Sequence, residues 1–156
     1  QELPRSHEVK GAFMKLLKFC LLTAVAVSLS SCGQEELNNQ RLAKGCEAAV
    51  KLVLDKDQYD RKFEAVQSVS YGASDGFKLV KLTASVIEKE TDYELDEDEV
   101  FNCKFEETSS FGGMIWNAHL VYLKVDEDAY GLENGQIIGN LNDHLKLMNV
   151  VEKAMQ

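Results

Sequence analysis

An apolar run from Phe19 to Leu29 is led by Lys15 and Lys18 and followed by the small residues Ser30 and Ser31. Cationic head, apolar middle and small-residue exit, in that order, are the layout of a secretory signal peptide. The run is about eleven residues long, whereas a helix spanning a bilayer needs roughly 20. A resident transmembrane helix is therefore the weaker reading, and the chain up to Ser31 is expected to be removed. Removal of 31 of the 156 residues leaves 125, enough for one domain with a real core and not comfortably for two.

Cys32 stands immediately after the small residues. Leu29-Ser30-Ser31-Cys32 resembles the lipobox of bacterial lipoproteins, in which leucine, two small residues and the lipidated cysteine close the signal. The resemblance covers residues 14–32. It implies that the Cys32 thiol receives a diacylglycerol and that the new amino terminus is acylated, with each buried CH₂ contributing about 0.8 kcal/mol to anchoring. Cys20 leaves with the signal. Met14 heads a well-formed signal, so residues 1–13 are read as extraneous upstream sequence, 14–31 as signal peptide, 32–39 as a lipidated tether and 40–156 as a single globular domain. Gly33 stands where an aspartate would resemble an inner-membrane retention signal. Similarity to enterobacterial lipoproteins then favours the outer membrane, facing the periplasm.

The mature chain carries 13 basic and 24 acidic residues, a formal charge of −11. Such a surface repels phosphates and anionic headgroups, so nucleic acid is not an expected partner and attachment rests on acyl chains. With Cys32 lipidated, Cys46 and Cys103 remain, and export implies an oxidising compartment in which two cysteines usually pair. The alternatives are two free buried thiols or half of a metal site. No Cys-x-x-Cys or neighbouring histidine favours the metal.

Leu42, Cys46, Ala49, Val50 and Val53 follow the spacing of one helical face from about Asn38 to Leu54. Lys62 to Ala73 and Phe77 to Lys89 read as strands joined at Ser74-Asp75-Gly76 into an antiparallel hairpin. In the second, Val80, Leu82, Ala84 and Val86 share a face. The acidic run from Asp92 to Glu99 reads as a solvated loop. Val100 to Glu106 alternates cleanly, with Phe101, Cys103 and Phe105 inward, so both Cys46 and Cys103 point to the core. Thr108 to Gly113 reads as a flexible loop. Met114 to Val125 reads as a strand with apolar residues on both sides, hence a central strand or one covered on its second side. Asp126 to Gly135 reads as an acidic turn region, and Leu141 to about Gln156 as a helix capped by Asn140. The expected fold is α+β: an N-terminal helix, a four-stranded antiparallel meander and a C-terminal helix in two layers, with a cystatin-like curl of the sheet as one version.

No catalytic set is apparent. His119 and His144 are the mature chain's histidines, and neither has the serine or cysteine setting of a nucleophilic hydrolase. Against an EF-hand beginning at Asp126, Tyr130 and Ile137 stand where ligands belong. Phe111 sits in a polar, glycine-flanked loop and is a candidate contact residue, whereas Trp116, Tyr122 and Tyr130 read as core. The expected function is a non-enzymatic envelope lipoprotein, without catalytic residues, cofactor or metal, that engages the membrane through its lipid and an envelope protein as partner. The second expectation is a small-ligand or cation-binding module with its pocket under the Phe111 loop.

Overall fold

The structure is a computed structural model that describes residues 33–95 and 97–156. Leu29-Ser30-Ser31-Cys32 and the rest of the signal stretch lie outside the described residues. The chain divides into two compact units after Asn38. Of the first, the described residues 33–38 are helical, so the stretch read as a tether is helix, and helix α1 covers 33–54 rather than starting near Asn38.

In the second unit, Leu42, Cys46, Ala49, Val50, Val53 and Leu54 of α1 are fully or almost fully buried. They share one core with the inward faces of a six-stranded antiparallel sheet, whose strands follow chain order throughout. The strands are β1 Arg61–Ser74, β2 Phe77–Glu88, β3 Glu99–Ser110, β4 Ile115–Val125, β5 Asp128–Glu133 and β6 Gln136–Ile138, and α2, Leu141–Met155, closes the chain. The class is α+β with a helix at each end, as expected, but the sheet has six strands where the sequence suggested four. Of the two additional strands, β5 comes from the segment read as an acidic turn and β6 from the three residues that follow it. Asn134-Gly135 is the reason: both residues take positive φ, 51° and 76°, which closes a two-residue hairpin between Glu133 and Gln136. Asp75-Gly76 closes β1 onto β2 in the same way.

Register explains which residues are inside. Val80, Cys103 and Leu123 lie opposite one another across β2, β3 and β4, and all three are fully buried. Strand β4 is an internal strand paired with β3 and β5, one of the two readings the sequence offered, but its apolar residues do not fall on two alternating faces. Lys104 faces Tyr122 and Phe105 faces Leu120, so Val121 is an extra residue, and this bulge flips the phase of the strand. Ala118 and Leu120 before it, and Leu123 and Val125 after it, all enter the same core. Gly131 of β5 faces Tyr122 beside the bulge at φ +110°, where a Cβ would collide with the Val121 carbonyl oxygen. Strand β1, at the sheet edge, is bulged at Glu64 and Gln67 and mostly exposed, with Phe63 and Val69 packed against the core. The acidic segment folds back on β2, with Glu94 bridging to Ile87 and Leu95 N–H donating to Val86 C=O.

Cys46 and Cys103 are joined by a disulfide, with α-carbons 5.8 Å apart. The link fixes α1 to the centre of the sheet. Farther toward its start, the Arg41 guanidinium lies 5.9 Å from the Trp116 ring centre of β4. From Cys46 to Arg41 the helix therefore runs alongside β3 as it proceeds from Cys103 toward Ser109, the residue facing Trp116. Helix α2 lies antiparallel to α1: Met155 and Val151 pack onto Gly45, while Asp143 at its other end pairs with Lys56 at 3.4 Å. Asn140 caps α2 as expected, its Oδ1 accepting from the Asp143 N–H at 2.9 Å.

Two substitutions test this arrangement by chemical denaturation. Replacing Cys46 and Cys103 by serine releases a crosslink across 57 positions, and a loss of about 4 kcal/mol is expected in the loop-entropy model. An unchanged urea midpoint would count against the crosslink. Gly131→Ala introduces both a backbone collision and a strained φ, and is expected to cost about 2 kcal/mol or more. A neutral result would contradict the bulge geometry.

Candidate functional site

The residues singled out from sequence fall at three separate places. Cys32 lies outside the described residues. Cys46 and Cys103 are consumed in the buried disulfide and offer no thiol. His119 is exposed on β4 and His144 is partly buried in the first turn of α2, so the two histidines sit on different elements and share no nucleophile. Among the described residues, no three His, Cys, Asp or Glu side chains gather where they could hold a metal ion. The carboxylates of the Asp126 turn have protein partners instead. Asp126 accepts from Arg61 at 2.8 Å, and Asp128 accepts from Tyr59 at 3.0 Å and Gln58 at 2.8 Å.

A groove of about 480 Å³ opens between the C-terminal end of α1, strand β5 and the first turn of α2. Its position differs from the one expected, because the space beneath the Phe111 loop is not what the sheet encloses: the sheet interior is filled by side chains such as Phe101, Phe105 and Leu120. The groove is of a size that admits a small molecule. Lys56 lies over the Tyr130 ring at 4.7 Å and pairs with Asp143, and His144 carries a buried Nδ1 with no hydrogen-bond partner. Sequence reading set Tyr130 aside as a core aromatic and passed over Lys56 and Asp143, because the three become neighbours only once the β5–β6 hairpin closes.

One wall is held by a chain of polar groups. Tyr59 gives its hydroxyl proton to Asp128, so in the 2.7 Å contact between the two phenols Tyr130 is the donor, and Gln58 in turn donates to Tyr130 at 3.2 Å. Burial, together with the contacts to Tyr130 and Asp128, pushes the Tyr59 phenol far above its ordinary value near 10. Next to it, Arg61 forms an ion pair with Glu99 and another with Asp126, and its side chain is largely buried. Burial works against its charge, but hydrogen bonds to Glu99 and Asp126 outweigh it and hold the guanidinium more firmly protonated than usual. Every donor in the tyrosine chain is used, which suits a rigid wall more than a proton-transfer site.

The third place is the β3–β4 hairpin tip, at the opposite end of α1 from the groove. Residues 111–113 form a single 3₁₀ turn in which Phe111, Gly112 and Gly113 all take positive φ, and the Met114 N–H donates to Phe111 C=O at 3.4 Å. The stretch read as a flexible loop from Thr108 is thus strand up to Ser110 and a tight turn after it. Phe111 is 74% exposed, Met114 83% and Ile115 47%. Phe111 accordingly remains a candidate contact residue by position. Trp116 stands just behind, its Nε1 donating to Glu107 at 2.9 Å.

The displaced Tyr59 titration has a measurable sign. The fold favours the neutral phenol, so the stability it contributes is present below about pH 10 and is lost as pH rises beyond that. The urea midpoint is expected to fall between about pH 9 and 11, and to fall less steeply in Tyr59→Phe; equal slopes would refute the assignment. No protein-family model matches this chain, and no curated protein or solved structure was found to be similar to it.

Proposed function

We propose that the mature protein, beginning at Cys32, is a lipid-anchored bacterial envelope lipoprotein whose α+β domain acts without catalysis, as a module that engages an envelope protein. The observation that carries the reading is the disulfide between Cys46 and Cys103 in the core. Disulfides persist in oxidising compartments and are rare in the cytosol, which supports the export read from residues 14–31. Leu29-Ser30-Ser31-Cys32 then supplies the anchor, and Gly33 after the cysteine favours the outer membrane. The dispersal of the histidines and the use of the Asp126 and Asp128 carboxylates by protein partners support a binding role over chemistry.

A second reading has its own observation. The groove beside Lys56, Tyr130 and His144 is bordered by Asp55, Asp57 and Asp143 as well as by Lys56 and Lys146, and this mixed lining suits a small polar ligand better than a bare ion. In that reading the module binds a small ligand in the periplasm.

Fractionation tests the anchor. The wild-type protein is expected in the membrane fraction and Cys32→Ser in the soluble fraction; identical distributions would overturn the lipidated reading. Crosslinking of intact envelopes is expected to trap a discrete protein partner, and recovery of none above background would favour the ligand reading.

A further inference from the structure

The apolar end of the β3–β4 hairpin lies where an anchored domain would meet its membrane. Among the described residues the two most exposed large apolar side chains, Met114 and Phe111, are close together there, and the exposed Ile115 follows them. From Thr108 to Ala118 the chain carries no charged residue, although 28% of all residues are charged. Nothing in that run has to shed a hydrated charge to enter the headgroup region. The turn itself holds Phe111 in a left-handed backbone conformation that a bulky side chain rarely takes, and its side chain stays largely exposed. Trp116 follows behind the tip, and an aromatic ring with a polar N–H, here donated to Glu107, is of the kind that favours a membrane interface.

Chain geometry says which surface this end faces. The chain enters the second unit at Asn39, and the Asn39 end of α1 is the one that lies beside Trp116, since Arg41 contacts its ring while Cys46 is bonded farther down to Cys103. Ser109, opposite Trp116, is two residues from Phe111, or about 7 Å of strand. Cys32 precedes Asn39 by seven residues, which even fully extended reach only about 25 Å. On the lipid-anchored reading the bilayer lies within that chain length of Asn39, which stands at the hairpin-tip end of α1 in the second unit, and the groove is at the opposite end.

We propose that Phe111, Met114 and Ile115 form a bilayer-contact surface that dips into the phospholipid interface and sets the orientation of the anchored domain. The proposal rests on the lipid-anchored reading of Cys32. The favoured surface is zwitterionic, because a domain of formal charge −11 is repelled by anionic headgroups.

Trp116 is the single tryptophan of the chain and reports on this directly. The processed protein, purified from membranes and reconstituted in phosphatidylcholine vesicles, is expected to show tryptophan emission quenched by lipids brominated near the headgroup end of their acyl chains. Phe111→Trp, combined with Trp116→Phe, moves the reporter to the tip and is expected to raise the quenching. Phe111→Ser with Met114→Ser is expected to reduce the quenching of Trp116 several-fold while circular dichroism stays unchanged. Detergent-phase partitioning of the same preparation shows whether Cys32 carries lipid. If it does not, the anchored reading falls and this inference with it. If it does, and brominated lipid leaves both reporters unquenched, the inference alone is overturned. A photocrosslinker at position 111 that captures a protein or a second copy of the chain instead of lipid would likewise overturn it.

Discussion

The bond between Cys46 and Cys103 is the constraint on which the rest of the molecule depends. It ties the middle of α1 to the central strand of the sheet at the point where Val80, Cys103 and Leu123 line up across three strands. Once that point is fixed, the direction of the helix fixes both ends of the domain. One end carries Arg41 against Trp116 and the bare hairpin tip, and the other carries Lys56 against Tyr130 and Asp143. A core of this size would close without the crosslink only at lower stability, because much of the gain from burial is offset by chain entropy.

A second constraint is the bulge at Val121. Without it, the apolar residues of β4 on either side of that position would point to opposite faces, and half would be left in solvent. The extra residue brings Ala118, Leu120, Leu123 and Val125 to one side, and it requires a partner with no side chain at the point of closest approach. Gly131 fills that requirement. The same glycine lies in the strand that carries Tyr130, so the bulge, the added hairpin and the groove wall belong to one local solution.

Much of this was legible in the sequence, and the failures have physical causes. Helical spacing from Leu42 to Val53 and alternation from Phe101 to Phe105 placed both cysteines inside, because each element buries one face and the pattern is undisturbed. The Asp75-Gly76 turn was visible for the same reason. Asn134-Gly135 carries an equally strong turn signal, yet the charges around it masked two short strands, of which β5 pairs with β4 and β6 with β5. Periodicity also could not locate the Val121 bulge, since an insertion in one strand is defined only by what the partner strand does opposite it. The groove depended on both of these and so remained out of reach. Phe111 stood out as a large apolar residue among polar neighbours, and its exposure bears out that contrast.

On the proposed anchored reading, the two ends of α1 divide the labour: an uncharged apolar tip would face the membrane and a polar groove of mixed charge would face away from it. Everything in that arrangement follows from a mature chain that begins at a lipidated Cys32 and is oxidised at Cys46 and Cys103. The most direct measurement is the intact mass of the protein extracted from membranes, followed by fragmentation. The expected species is residues 32–156 with diacylglycerol and an amide-linked acyl chain on Cys32, less the two hydrogens lost to the disulfide. A chain starting elsewhere, an unmodified Cys32 or free thiols at Cys46 and Cys103 would contradict it.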